Sequence, residues 1–391
     1  MACLIVRNIG RLTTWHGPVV EDAAVVIRDG AVHWTGADRD LPAATDDAPE
    51  LDAAGAAVLP GFVDAHTHAV WAGNRRDDFI GRVSGADYSP HGINSTVEAT
   101  RAASYDELLA LTAARLTEMQ RHGATTVEVK SGYGLTPGDE IQLLTVAKQA
   151  AEQVGLDVTT TYLGAHVVPA GRDRGDYVDE VVNTLPAAAD AGAQWCDVFC
   201  DDGAFTVDEA RQILTAARDQ GLGLRMHAEQ LARTGAAELA AELGCASADH
   251  LDHVTIDDAK ALAAAGVVAT LVPAVSLYSR SMRWNHARTL REAGCTLAIA
   301  TDCNPGTAWC ESMPYAMQLA CLAMGLDVDT VLRAATLGGA AALRRTDIGN
   351  LGIGAKGDLV LVNSDHEADV LGHLGTQAVI RTVVDGRPIG G

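Results

Sequence analysis

Apolar positions along the chain follow two rhythms. Toward both ends they alternate with polar residues, a period of two that reads as half-buried β-strand. "AAVVIRDGAVHWTG" places such runs on either side of Asp29-Gly30, and "AVIRTVVDGRPIG" does the same around Asp385-Gly386. Asp-Gly between strand-like runs predicts a tight hairpin, because both central residues of that turn take positive φ. "GDLVLVN" adds another strand near the C-terminal end. Each terminal group is too small for a core of its own. Residues 1–58 and 346–391 are therefore expected to pair into one small β-sandwich domain.

Between them the rhythm changes. "AVLPGFVDAH", "ATTVEVK", "LDVTTTYLGAH", "QWCDVFC", "GLGLRMH", "SADH", "VVATLVP" and "TLAIATD" read as eight strands, separated by Ala/Leu-rich helical stretches. One of these, "SYDELLALTAARLTEMQRHG", carries Ser104 as N-cap, Glu107 at the capping-box position and Gly123 near its end. Eight such alternations predict an α/β fold, a closed (β/α)8 TIM-type barrel over residues 59–345. Its chemistry should lie at the C-terminal ends of the strands. Residues 71–100, rich in glycine and charge, are expected to form a lid or substrate loop. "GIGAKG" at 352–357 fits G-x-G-x-x-G but precedes a strand and opens no helix, so it is not read as a dinucleotide site.

Composition narrows the field. With 48% hydrophobic residues in 391, a large core is within reach. The formal net charge is −22, and only Lys130, Lys148, Lys260 and Lys356 are lysines. A field of that sign disfavours nucleic acid and anionic membranes as partners. A small anionic substrate would need its own local cation. Eight cysteines without a C-x-x-C spacing read as reduced, mostly buried thiols. No signal-peptide layout and no membrane-length apolar run is apparent, so a cytoplasmic protein is expected.

Polar residues collect where the barrel places its chemistry. His66 and His68, in "VDAHTHAVWAGNR", are two apart, so a strand would present both imidazoles on one face. Tyr133 follows the second strand; His166, His227 and His250 end the third, fifth and sixth; Asp302 ends the eighth. A lone strand-end histidine is ordinarily a hydrogen-bonded structural residue. Five with an aspartate suit a divalent metal, Zn²⁺ or Fe²⁺, with one position open to water.

At this point the chain resembles the amidohydrolase superfamily, through H-x-H, His, His and Asp on strands one, five, six and eight. "DAHTHAVWAGNR", "TTVEVKSGYGL", "YLGAHVVP", "HAEQL", "SADHL" and "ATDCNPGT" are similar, within it, to the imidazolonepropionase family. The resemblance implies one divalent metal per chain, Zn²⁺ or Fe, held by His66, His68, His227 and Asp302. It implies substrate contacts from Arg75, Tyr133, His166, Gln230, Asn304, Gly306 and Thr307. His250 would hydrogen-bond the attacking or developing oxyanion, and Asp302 would carry the proton. The implied reaction is hydrolysis of 4-imidazolone-5-propanoate to N-formimidoyl-L-glutamate in histidine degradation, by a homodimer. Arg75 would hold the propionate; the bland reading makes it a surface arginine paired with Asp77 or Asp78. Lys130 reads as a partner behind the site.

Two stretches depart from the family pattern: "ADYSPHGINS" (86–95), and "AVSLYSRSMRWNHARTL" (274–290) after the seventh strand. They leave open a relative acting on a modified imidazolone or hydantoin-type propionate. An aromatic-base deaminase is a further alternative, but such enzymes place a glutamate three residues after the strand-five histidine. Here that position is Gln230, with Glu229 out of register by one. A non-catalytic metal- or ligand-binding protein is the reading furthest from these.

Overall fold

The hairpins around Asp29-Gly30 and Asp385-Gly386 form as expected in the computed structural model, which describes residues 3–42, 48–85 and 92–389. In chain order the strands are β1 Cys3–Leu12, β2 Val20–Arg28, β3 Ala31–Ala37, β4 Glu50–Asp52, β5 Ala57–Pro60 and β6 Phe62–Asp64. There follow β7 Ala124–Lys130, β8 Asp157–Ala165, β9 Trp195–Cys200, β10 Gly223–Ala228 and β11 Ser247–His250. The last are β12 Val268–Leu271, β13 Leu297–Ile299, β14 Leu359–Val362, β15 Val379–Val384 and β16 Arg387–Ile389. At the hairpin tips Asp29 and Gly30 have φ of 51° and 80°, and Asp385 and Gly386 have 48° and 72°. These are the left-handed values that a two-residue turn demands.

The terminal segments build one mixed sheet in the order β16-β15-β14-β5-β1-β2-β3, with β4 beside β1. Val32 of β3 and Val383 of β15, at opposite ends of that order, share one apolar cluster with Val6, Ile9, Val25 and Leu361. The sheet thus encloses a core that neither terminus alone has enough apolar residues to make.

β6 to β13 form the second sheet, in sequence order and parallel throughout. The run "AVLPGFVDAH", read as one strand, is two: β5 pairs with β14 and β1, and β6 pairs with β7. The chain changes sheet at Gly61, where a Cβ would come within 2.2 Å of Thr125 Oγ1. Only glycine fits there. Where β13 returns to β6 the barrel is joined by site residues themselves. Asp302 N–H donates to His66 O at 3.0 Å, and His68 N–H donates to Cys303 O at 3.0 Å.

Outer helices follow the capping chemistry. Ser104 caps the helix Tyr105–Arg121, accepting from Glu107 N at 3.2 Å. Thr136 and Pro137 start Pro137–Val154, which ends at Gly155 with φ 68°. The stretch 71–100 is not a plain loop: it carries helices Arg76–Val83 and Ile93–Ala102. Asp77 and Asp78 in the first turn of Arg76–Val83 suit the positive end of a helix. Of the divergent 86–95 stretch, residues 86–91 lie outside the described residues. The eight cysteines are free thiols, six of them buried.

Candidate active site

β7, β9, β10 and β11 each bring charged residues into an otherwise apolar barrel. Period-two geometry puts Glu128 and Lys130 of β7 on one face, with Asp197 of β9, Arg225 and His227 of β10, and Asp249 of β11 close by. All six are buried. Lys130 Nζ lies 2.9 Å from Glu128 Oε1 and 2.8 Å from Asp197 Oδ2. Asp197 Oδ2 in turn lies 3.1 Å from His227 Nδ1. Burial alone would raise the Asp197 carboxyl, but His227 and Lys130 hold it well below the usual carboxylate range. On the other side, Arg225 Nη2 donates to Asp249 Oδ2 at 3.2 Å, and His66 Nδ1 donates to the same oxygen at 2.6 Å.

Those contacts orient the upper histidines. With Nδ1 of His66 and of His227 facing a carboxylate, each ring turns Nε2 toward its neighbours. His227 Nε2 lies 3.3 Å from His68 Nε2, and Asp302 Oδ1 lies 3.6 Å from His66 Nε2 and 3.4 Å from His68 Nε2. His250 Nε2 is 3.8 Å from Asp302 Oδ2. One ligand atom each from His66, His68 and Asp302 lie within 4.8 Å of one another, as do those from His66, His227 and His250. Among the described residues, His66 Nε2, Asp302 Oδ1 and both ring nitrogens of His250 are buried without a protein hydrogen-bond partner. Buried polar atoms are ordinarily satisfied. Neutral imidazoles and a carboxylate, converging unsatisfied, fit a divalent ion. A third grouping, His66, Asp197 and Asp249, does not read as a second metal site, because Lys130 and Arg225 already neutralise its carboxylates.

Burial sets the protonation. It lowers His66, His68 and His250 well below the usual imidazole value and His166 to about 4, so all four are neutral at pH 7. It raises Asp302 to about 7. His250 (φ 77°) and Asp302 (φ 49°) both hold left-handed backbone, a strained arrangement that concentrates at functional sites.

Above the cluster opens a cavity lined by His68, Arg75, Ile93, Tyr133, His166, Phe199, His227, Gln230, His250, Asp302, Asn304, Gly306 and Thr307. Every expected substrate contact is on this wall; His66 lies in the cluster beside it. Arg75 is only 8% exposed, and its Nε pairs with Asp78. The arginine is therefore both ion-paired, as the bland reading had it, and part of the cavity. His166 Nδ1 donates to Gly132 O at 2.9 Å, which leaves Nε2 as an acceptor. Asn304 shapes the turn around it: Oδ1 accepts from Gly306 N at 2.9 Å and Thr307 N at 2.7 Å, while Nδ2 donates to Asp302 O.

Several positioning groups escaped the sequence reading. Glu140 accepts from the N–H groups of Gly132, Gly134 and Leu135 at 2.7–2.8 Å, fixing the loop that presents Tyr133. Asp201 accepts from Gln230, Leu231 and Ala232 N–H at 2.6–3.1 Å. Arg115 donates to Ala69 O and Trp71 O and lies over the Trp71 ring, clamping the chain just beyond His68. Ile93 and Phe199 supply the apolar wall. A carboxylate five to eight residues after a glycine-rich turn is the available signal for Glu140. Nothing in local sequence marks Arg115.

Comparison with known proteins agrees with this geometry. Residues 57–389 match the model of the amidohydrolase family. An imidazolonepropionase of Salinispora arenicola is 45% identical over 398 residues, covering 99% of each chain. One from Streptomyces griseus is 48% identical over 348 residues, covering 88% of this chain and 87% of its own. Among solved structures, a zinc-bound adenosine deaminase from Xanthomonas campestris superposes with a TM-score of 0.73 at 22% identity, covering 99% and 92% of the two chains. An atrazine chlorohydrolase from Arthrobacter aurescens complexed with zinc gives 0.74 at 19%, covering 98% and 94%. Those two likenesses concern the fold. On sequence, fold and the convergent histidine–aspartate cluster together, the chain belongs to the imidazolonepropionases, within the metal-dependent amidohydrolase family.

Proposed function

We propose that this protein hydrolyses the ring of 4-imidazolone-5-propanoate, giving N-formimidoyl-L-glutamate in histidine degradation. One observation carries the reading: a buried guanidinium, Arg75, shares a single cavity with His68, His227 and Asp302 of the cluster. An anionic tail and a scissile ring bond can therefore be held at once, inside a chain whose overall charge repels anions.

In this reading Arg75 takes the propionate by charge-assisted hydrogen bonds. His166, with Nδ1 committed to Gly132 O, offers Nε2 to a ring N–H. Tyr133 and Gln230 flank the ring, and the Asn304 turn brings Gly306 and Thr307 against it. The four-residue cluster would hold zinc or iron, which when bound supplies a Lewis acid for the ring carbonyl and lowers the pKa of water to about 7. Water adds to the ring carbonyl carbon, and the adjacent ring C–N bond then breaks. Asp302, raised by burial, takes the proton from the attacking water and returns it to the departing nitrogen. His250 hydrogen-bonds the oxygen on which negative charge develops.

Deamination fits less well. Gln230 cannot titrate, and Glu229 points away: its carboxylate accepts from the N–H groups of Thr234, Gly235 and Ala237 at 2.7–3.1 Å. The test is to supply freshly made imidazolone propionate and follow loss of its ultraviolet absorbance, with N-formimidoyl-glutamate assayed in parallel. Matched loss and formation are expected. Absorbance loss no faster than without protein would reject the substrate.

A further inference from the structure

Lys130 is fully buried in the barrel, yet nothing in the proposed reaction uses it. Its surroundings repeat a pattern. Lys130, Asp197 and His227 form a chain of cation, carboxylate and imidazole, with steps of 2.8 and 3.1 Å. Arg225, Asp249 and His66 form a second, with steps of 3.2 and 2.6 Å. Glu128 joins the two chains at their rear, 2.9 Å from Lys130 Nζ and 4.0 Å from Arg225 Nε. In each, the carboxylate engages Nδ1 and leaves Nε2 facing the cluster.

We propose that Lys130 is a positioning residue for metal ligation: through Asp197 it fixes His227 in the tautomer and orientation that present an unprotonated Nε2. The inference rests on the metal-dependent reading of the site. Asp197 uses both oxygens: Oδ1 accepts from His227 backbone N–H at 3.1 Å, and Oδ2 lies 2.8 Å from Lys130 Nζ and 3.1 Å from His227 Nδ1 as an ion-pair contact. Two groups from different strands, the Lys130 ammonium and the His227 ring, face Oδ2 at ion-pair distance. Without the ammonium, one anchor of the carboxylate is gone, and the imidazole it steers can turn. Groups that orient metal-bound histidines in this way are worth about 10–100-fold in metal affinity.

The experiment compares wild type with Lys130→Met, each stripped of metal and shown folded by circular dichroism. Zinc affinity is read by competition with a chromophoric chelator. The His227 tautomer is read by ¹⁵N NMR of histidine-labelled, metal-free protein, its signals identified by their loss in His227→Gln. The expected result is a 10–100-fold loss of zinc affinity, with His227 moving from a pure Nδ1–H tautomer to a mixture. If Lys130→Met does not fold, Asp197→Asn carries the test. It keeps the side chain's shape but sets an NH₂ against either the backbone N–H or the Nδ1–H of His227, and the same two changes are expected. Zinc affinity within threefold of wild type in a folded variant overturns the proposal. So does lost affinity with an unchanged His227 spectrum, which would mark a merely structural role. Wild-type protein that binds no zinc in this competition would fell the metal reading together with the inference.

Discussion

At the scale of single residues, the account turns on Arg75 and Asp302. Arg75 sits in the cavity with its Nε paired to Asp78, and among the described residues no other hydrogen bond of its guanidinium is seen. A propionate held there would be remote from the bond broken, so the contact would serve ground and transition states alike. Arg75→Ala should therefore raise KM with kcat little changed, a loss of about 2–5 kcal/mol in kcat/KM. Arg76 begins the adjoining helix and is absent from the cavity wall; Arg76→Ala should leave both constants within about twofold. The reverse pattern would place the propionate on Arg76. Asp302→Asn keeps the shape and a carbonyl oxygen but cannot accept a proton. Measured on samples of known metal content, its kcat should fall by at least ~10²–10⁴-fold; more than a tenth of wild-type kcat would take Asp302 off the proton path. The pair His66 and His68 was legible as H-x-H after an apolar run, although β6 ends at Asp64 and both histidines lie just beyond it. Glu128, Lys130, Asp197, Arg225 and Asp249 form the floor beneath. A hint of them lies in single charges set inside apolar runs, as in "VEVK", "CDVF" and "LRMH". Their pairing is between strands far apart in sequence, and no local pattern encodes it.

At the scale of elements, eight alternating strands and helices were readable because each strand is a short apolar run bounded by turn or cap residues. Two features were not. The strand before His66 changes sheet at Gly61, a steric requirement set by Thr125 on another strand. Helices Arg76–Val83 and Ile93–Ala102 occupy a stretch whose glycines and charges suggested a loop. The loop after β7 gives the element-level prediction. Glu140, buried, gathers three backbone N–H groups of that loop, and Gly132, with φ 108°, carries the carbonyl that orients His166. Glu140→Gln turns one of those acceptors into a donor facing an N–H. It should cost about 1–3 kcal/mol of stability and raise KM through displaced Tyr133 and His166. Metal content should stay at the wild-type level. Thermal unfolding, KM and elemental analysis check the three statements, and loss of metal would mean the loop supports the cluster as well as the substrate.

At the scale of the whole molecule, the terminal sheet contributes to two apolar clusters, with Leu59, Val360 and Val379 in the barrel's and Val58, Leu359 and Leu361 in its own. Asp358 is one of the buried carboxyls in that region. Its Oδ1 accepts from Asp385 N at the second hairpin, and burial raises it to about 7. A carboxyl whose folded pKa exceeds its unfolded value favours folding in the protonated form. Its contribution is complete below about pH 4 and is lost as pH rises to about 7. Asp358→Asn removes that dependence. The variant should gain on wild type as pH rises from 5 to 7 and hold a level advantage of about 1–3 kcal/mol above that, read as unfolding midpoints across the range. A gap that narrows with rising pH would contradict the sign. The central claim concerns the other core: one metal-dependent hydrolytic site in each chain. β9, the fourth barrel strand, has no lysine to bridge two ions, and the carboxylates nearest a second position are paired with Lys130 and Arg225. Metal-stripped protein should be titrated with zinc or ferrous ion while imidazolone propionate hydrolysis is measured at each addition. The account predicts no turnover at the start and a linear rise that breaks at one ion per chain. Turnover by the stripped protein, or a break at two ions per chain, would contradict it.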